Sequence, residues 1–358
     1  MRLLLSLQTN IFLKKHTLIF VILLTVVNLQ AQIGGESTYQ FMSLPNSARS
    51  SSLSNSSIGL WDSDLNLGID NPSLLDSSSH QQLALNYADY IADINYGMVA
   101  YAHHFEGIGT FAMGMNYMHY GLFDEADETG EKIGTFSASD YVFNVLYSKA
   151  LYPNLQIGAN LKFLYSNYYQ YFSSGVAIDA GLTYHNDEKL MSLSFVIKNF
   201  GHQIKPYREG NFEPLPFDMQ IGFAKKMSHA PFRVLIALHH LHNWDMAFES
   251  PLKEKNTILG EEDEADEPSK WEEYGDEAIR HLNVGVELIP LKNVYIRAGY
   301  NFQKMKEMVI DDKFGMVGFS VGAGIRIYKF HISYARSIYH VAGGTNTFSI
   351  TSNLGEFF

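Results

Sequence analysis

Three histidines crowd together late in the chain, His239, His240 and His242, with Trp244 and Asp245 just beyond them. Imidazoles at i and i+3 in a loop are a pairing that zinc accepts. No cysteine stands with them and the spacing alone is a weak signal, so they read as surface or rim histidines rather than a metal site. His103 and His104 are excluded as joint ligands, because neighbours on a strand point to opposite faces. Serines and aspartates abound between residues 32 and 80, yet no G-x-S-x-G elbow occurs, so hydrolysis has no motif behind it. The acidic run Glu261 to Glu267 lacks the glycine and ligand spacing of an EF-hand. The chain therefore reads as a non-enzyme, with no catalytic residue, no metal and no cofactor.

The elements that would position these residues are strands. From Leu155 to Tyr165 the odd positions are apolar or aromatic, while Gln156, Gly158, Asn160 and Lys162 between them are polar or lack a side chain. That period of two marks a strand with one greasy and one wet face. Its length matches the ~9–11 residues with which a tilted strand crosses a bilayer. The pattern recurs fourteen times: 81–90, 94–105, 109–120, 139–150, 154–166, 173–185, 189–200, 216–227, 231–241, 280–289, 292–302, 316–328, 329–340 and 344–355. Tyr141 and Tyr147 bracket Phe143 and Val145, as aromatic girdles bracket an apolar band. After residue 31 no apolar run approaches the length of a membrane helix, so a membrane location requires a closed barrel.

The connections sort by parity. Stretches 121–138, 201–215, 242–279 and 303–315 are long and all odd-numbered, while 106–108, 151–153, 185–188, 228–230 and 290–291 are short. Long external loops and short periplasmic turns are the asymmetry of outer-membrane barrels. The expected fold is an all-β, 14-stranded antiparallel transmembrane barrel over 81–358, with outer-membrane lipid around it. Phe357 and Phe358 add the terminal aromatic familiar in barrels handed to the outer-membrane insertion machinery.

Residues 1–31 read as a signal peptide: Arg2, Lys14 and Lys15 precede the apolar run Leu18 to Val27, and Ala31 suits cleavage. Its removal takes three positive charges and moves the net charge from −12 to −15, which argues against nucleic acid as a partner. With no cysteine, disulfides and a lipidated N-terminal cysteine are excluded. Segment 32–80 has no sustained alternation but carries Tyr39, Phe41, Leu44, Leu53, Leu60, Trp61 and further leucines, more apolar matter than a disordered tail holds. It is expected to pack as a plug. Inward glycines Gly114, Gly158, Gly181, Gly222, Gly285, Gly299 and Gly322 would let it approach the wall or would ease strand curvature.

Two loops are candidate docking surfaces. Stretch 242–279 has thirteen acidic residues against three lysines, with Trp244, Trp271 and Tyr274 among them. Stretch 201–215 presents Tyr207, Arg208 and Glu209 between prolines, residue types that serve as interface hot spots.

The run Gly34-Gly35-Glu36-Ser37-Thr38-Tyr39-Gln40-Phe41, then Leu44-Pro45-Asn46-Ser47-Ala48-Arg49, resembles the PorQ family of the type IX secretion system. So do Asn71-Pro72, Asn86-Tyr87, Ala92 to Gly97, and Lys205-Pro206-Tyr207-Arg208-Glu209-Gly210 with Leu215-Pro216-Phe217. The likeness covers most of the chain after residue 31. It departs at Ser52-Leu53-Ser54-Asn55, where relatives have Ala-Leu-Gly-Gly, and at Asn71-Pro72-Ser73, where they have Asn-Pro-Ala. The family is similar to PorV and, more distantly, to FadL-type barrels with an N-terminal plug. The resemblance implies a Gram-negative outer-membrane subunit of an attachment complex that holds a PorZ-like protein alongside PorU and PorV. It marks Pro45, Ser47, Arg49, Asn71 and Pro72 as the plug motif. The alternatives are a FadL-like transporter of hydrophobic ligands and a PorV-like shuttle gripping cargo signal domains.

Overall fold

The computed structural model describes residues 37–246, 270–307, 316–340 and 343–357. The signal-peptide expectation for 1–31, the Gly34-Gly35-Glu36 end of the family motif and the acidic run 261–267 lie outside these residues.

All fourteen expected strands form, and each pairs antiparallel with its chain neighbours: β1 Gln82–Asp89, β2 Asn95–Phe105, β3 Gly109–Ala126, β4 Lys132–Tyr152, β5 Leu155–Tyr168, β6 Tyr171–Asn186 and β7 Met191–Lys205, then β8 Asp218–Lys226, β9 Phe232–Leu238, β10 Leu282–Leu291, β11 Val294–Asn301, β12 Phe319–Ile327, β13 Phe330–His340 and β14 Gly343–Asn353. β1 closes on β14 from Gln82↔Asn353 to Asp89↔Asn346, so the sheet has no free edge. Among the described residues no helix is long and apolar enough to cross a membrane.

Alternation sets the two faces as the sequence implied. In β5, Leu161, Phe163 and Tyr165 point outward and exposed, while Asn160, Lys162 and Ser166 are buried inward. The outer wall carries Phe143, Ile178, Leu182, Phe195, Ile221, Ile236, Ile296 and Phe348, a band that water would not tolerate at this size.

One expected loop is not a loop. Stretch 121–138 is a continuation of β3 and β4, which pair as far as Ala126 and Lys132. These strands run 18 and 21 residues, well beyond the bilayer's need, so a two-stranded blade stands above the wall. Its polar residues Asp124, Glu125 and Lys132 blur the alternation. The remaining long connections, 206–217, 239–281 and 302–318, do share one end, and every connection at the other end is short.

Residues 37–80 lie against the inner wall. They form short turns and two short helices, α1 Ala48–Ser52 and α2 Leu65–Asp70. Ser47 Oγ accepts from Ser50 N–H at the start of α1, and Asp64 from Asn66 N–H at the start of α2. Their apolar residues share cores with the wall: Leu53, Leu60, Leu67 and Leu74 pack with Ala224 and Leu235, and Leu65, Ile69 and Leu75 with Ala84, Ala100 and Leu146. Ser54 and Asn55 both take left-handed backbone, φ 50° and 61°. The path that paired glycines would supply at this turn is kept without them.

Candidate functional site

Glycines govern how close the inner segment comes to the wall. A Cβ on Gly158 would fall 2.3 Å from the Pro72 carbonyl, and one on Gly181 2.3 Å from Asn71 Oδ1. Gly285 and Gly299 meet Ser56 and Leu53 in the same way, and Gly322 meets Ser52. The inward glycines are contact points of the segment, not only relief for curvature. The motif residues act here. Asn71 donates to Ile58 O (2.8 Å) and Thr183 Oγ1 (3.3 Å), and its Oδ1 accepts from Ser73 N–H. Pro72 opens the 3₁₀ turn that rides on β5 and β6, and Pro45 is buried beside Ser47.

Arg49 is the electrostatic centre. Its guanidinium reaches Asp62 (2.7 Å), Asp64 (3.1 Å) and Glu287 (3.0 Å). Arg233 pairs with Asp62 and Glu287, and Arg297 with Glu287 at 2.8 Å. Three guanidiniums thus meet three carboxylates, and three of the six residues come from the wall: Arg233 of β9, Glu287 of β10 and Arg297 of β11. Burial pulls the Arg49 guanidinium down, but Glu287, Asp62 and Asp64 more than offset it and raise it well above the ordinary arginine value. Burial pushes the Asp62 carboxyl up, and Arg49 and Arg233 outweigh it, holding the group below the usual carboxylate range. The network is balanced in charge, which makes burial of so many ions tolerable.

At the long-loop end, Asp140 accepts from Tyr120 (2.6 Å), Tyr168 (2.8 Å) and Ser166. Tyr207 stacks on Tyr168 at 5.3 Å, stands 6.4 Å from Tyr39 and donates to Ser166 Oγ. Thr38 N–H donates to Pro214 O, and Leu215 is buried with Tyr39 and Met42. The 206–217 loop therefore closes over the inner segment. Tyr207, expected as a partner contact, is turned inward because its hydroxyl and ring both find partners there; Arg208 and Glu209 stay exposed.

Beneath this mouth a cavity of about 30 Å³ remains, lined by Phe41, Tyr96, Asn144, Lys162 and Lys198 among others. On this measure one water needs ~10–15 Å³, so the space suits about two. Lys162 is paired with Asp179 at 2.7 Å and donates to Asn199 Oδ1. The lining is mixed: Met42, Leu44, Ile69 and Val142 stand beside the two lysines.

Outside the mouth, α3 Lys270–Arg280 leans on α4 Phe302–Glu307 through the Asp276–Lys306 ion pair. Trp271 is 87% exposed and Tyr274 60%. Trp244 is half exposed and stacks on His281 at 4.9 Å. Stretch 303–315 thus opens as helix, and stretch 242–279 ends as one.

The histidine cluster takes a different acid from the one adjacent in sequence. His240 (φ 56°) turns the chain after β9, and its N–H donates to Asp218 Oδ1 at 2.6 Å. Ligand atoms of Asp218, His240 and His242 lie within 4.8 Å of one another. Asp245 is exposed and is not part of the group. Burial lowers His240 and His242 below the ordinary imidazole value, leaving neutral rings at pH 7.

No protein-family model matches the chain, and no curated protein does. Solved structures do. The chain is similar to the toluene transporter TodX of Pseudomonas putida. The two align with TM-score 0.50 and 12% identity, over 86% of this chain and 97% of TodX. The deltaS2S3 mutant of TodX, a monoaromatic hydrocarbon channel, aligns with TM-score 0.50 and 11% identity, over 86% of this chain and 99% of its own. A FadL homologue of Pseudomonas aeruginosa aligns with TM-score 0.45 and 10% identity, over 86% and 98%.

The likeness to TodX covers nearly its whole length and shows the fold: a closed, 14-stranded antiparallel β-barrel. At this identity TodX carries no residue roles across to the present chain.

Proposed function

We propose that this chain is a docking barrel of a Gram-negative outer membrane, closed by its own N-terminal plug, that presents its long-loop face to a protein partner. The observation that carries this reading is the filling of the lumen. Segment 37–80 is bonded to the wall by the Arg49 network and the glycine contacts, and the cavity beside it holds about two waters. The exposed Trp271 and Tyr274 on α3 supply aromatic anchors at that face. Together with the PorQ-like motifs, this supports a subunit of the type IX attachment complex, holding a PorZ-like protein with PorU and PorV. Native co-purification from outer membranes tests it. A large soluble partner should co-purify with the wild type and be reduced about thirtyfold or more in Trp271→Ala/Tyr274→Ala, the loss of two hot-spot anchors. Recovery of the barrel with no partner would reject the reading.

A second reading, a transporter of hydrophobic ligands, is the one the likeness to TodX favours. None of the structures named above bears on type IX secretion. Sites for such ligands usually span ~300–1,000 Å³, far more than the cavity of about 30 Å³ beside the inner segment. Saturable binding of toluene or a fatty acid by the purified barrel, with uptake lost on deletion, would establish transport instead. A shuttle for cargo signal domains would be marked by crosslinks to secreted cargo.

A further inference from the structure

We propose that Asp218, His240 and His242 form a binding site for a zinc-class divalent metal, a clip that fastens the segment after β9 to the start of β8.

Three observations carry it. The donor set is one carboxylate and two imidazoles, which suits zinc and similar borderline metals and leaves one position for water or an outside donor. The ligand atoms already converge: all lie within 4.8 Å of one another, and His240 Nδ1 is 3.7 Å from Asp218 Oδ1. A tetrahedral site with bonds of ~2.0–2.1 Å needs about 3.3 Å between ligands, so only side-chain rotation is required. The third is an orphan: His242 Nδ1 is buried with no hydrogen-bond partner, a state that costs free energy unless something occupies its lone pair or proton.

The surroundings hold the carboxylate in place. Gln220 Nε2 donates to Asp218 Oδ2 at 2.5 Å and His240 N–H to Oδ1 at 2.6 Å, the outer-shell support that metal-binding carboxylates use. His239 lies on the other side, its Nδ1 3.7 Å from Asp218 Oδ2. Phe217 sits edge-on to the His242 ring at 4.9 Å and shields it. The left-handed backbone at His240 brings the residues after β9 back over β8, where Leu241 N–H bonds Met219 O at 3.1 Å. Strain at a bulky residue that converges side chains is a pattern of functional sites.

The test uses the full chain purified in detergent and stripped with a chelator. Zn²⁺ titration by calorimetry should show one tight equivalent in the wild type, lost or weakened at least tenfold in His242→Ala and in Asp218→Asn. His242 is on a loop, so its variant keeps the barrel, which heat-modifiable electrophoresis verifies. Co²⁺ in place of Zn²⁺ should give the visible absorption of a tetrahedral site in the wild type and not in His242→Ala. Absence of a tight equivalent, or one that survives in both variants because the acidic stretch supplies it, would overturn the proposal.

Discussion

Gly59 and Gly222 face each other with no room for a side chain on either. A Cβ on Gly222 would stand 2.5 Å from Gly59 N, and one on Gly59 would stand 2.4 Å from the Gly222 carbonyl carbon. Valine at 222 must push the inner segment off the wall. Overpacking of this kind costs ~1–3 kcal/mol. Gly222→Val should fold as a barrel, yet expose segment 37–80 to protease and raise conductance in planar bilayers. Protease resistance equal to that of the wild type would argue against the close approach.

Glu287 binds Arg49, Arg233 and Arg297 at once. In Glu287→Gln the three guanidiniums are left with Asp62 and Asp64 alone. Breaking a buried pair by removing one partner costs ~3–5 kcal/mol. The variant should convert to the unfolded electrophoretic form at a clearly lower temperature, and adding Arg297→Met should recover part of the loss, because it removes the unbalanced charge. A double variant as unstable as the sum of the singles would deny the coupling.

Asp62 sets an acid limit. Its folded value lies below that of the free carboxyl, near ~4, so the stabilisation is complete above about pH 4 and is lost as pH falls towards the folded value. Protease protection of the inner segment should stay flat from neutral pH to about 4 and decline below it. Asp62→Asn should lower the plateau and flatten the decline; an unchanged profile in that variant would assign the acid sensitivity elsewhere.

Leu161 and Asn160 are neighbours on opposite faces of β5. Leu161 is 39% exposed on the outer wall, and Leu161→Arg should cost ~2–4 kcal/mol if it lies near the bilayer midplane. Alternation alone suggests that Asn160 tolerates alanine. The structure corrects this: Asn160 is fully buried and donates to Asn144 Oδ1 (3.0 Å) and Asp179 Oδ2 (3.2 Å). Its loss should cost ~1–3 kcal/mol, since Asn144 Oδ1 is left without that donor, although Asp179 Oδ2 keeps Lys162. Denaturant unfolding in lipid vesicles measures both.

The wall was legible because a barrel strand writes its two faces into every second residue. Legibility fails where that rule lapses. Around Asp124, Glu125 and Lys132 both faces of the blade meet water, so the pattern fades and a strand reads as a loop. Arg49 and Glu287 are 238 residues apart, and nothing local in either neighbourhood announces the pair. Tyr207 looked like an exposed anchor because its neighbours are charged and proline-rich; only the fold reveals Tyr168 and Ser166 waiting beneath it. The histidine group was visible, but its acid comes from Asp218 across a strand pair and not from Asp245 along the chain.

The inner segment also constrains the order of assembly. Ala48 N–H bonds Ser349 Oγ, 301 residues later, and Arg49 finds its strand partner only on β10. Arg49 can pair early with Asp62 and Asp64 of its own segment, but its bond to Glu287 waits for one of the later staves. Contacts of such separation make folding slow. The bonds from the inner segment to Glu287 and Ser349 are therefore complete only once the last strands have joined the sheet.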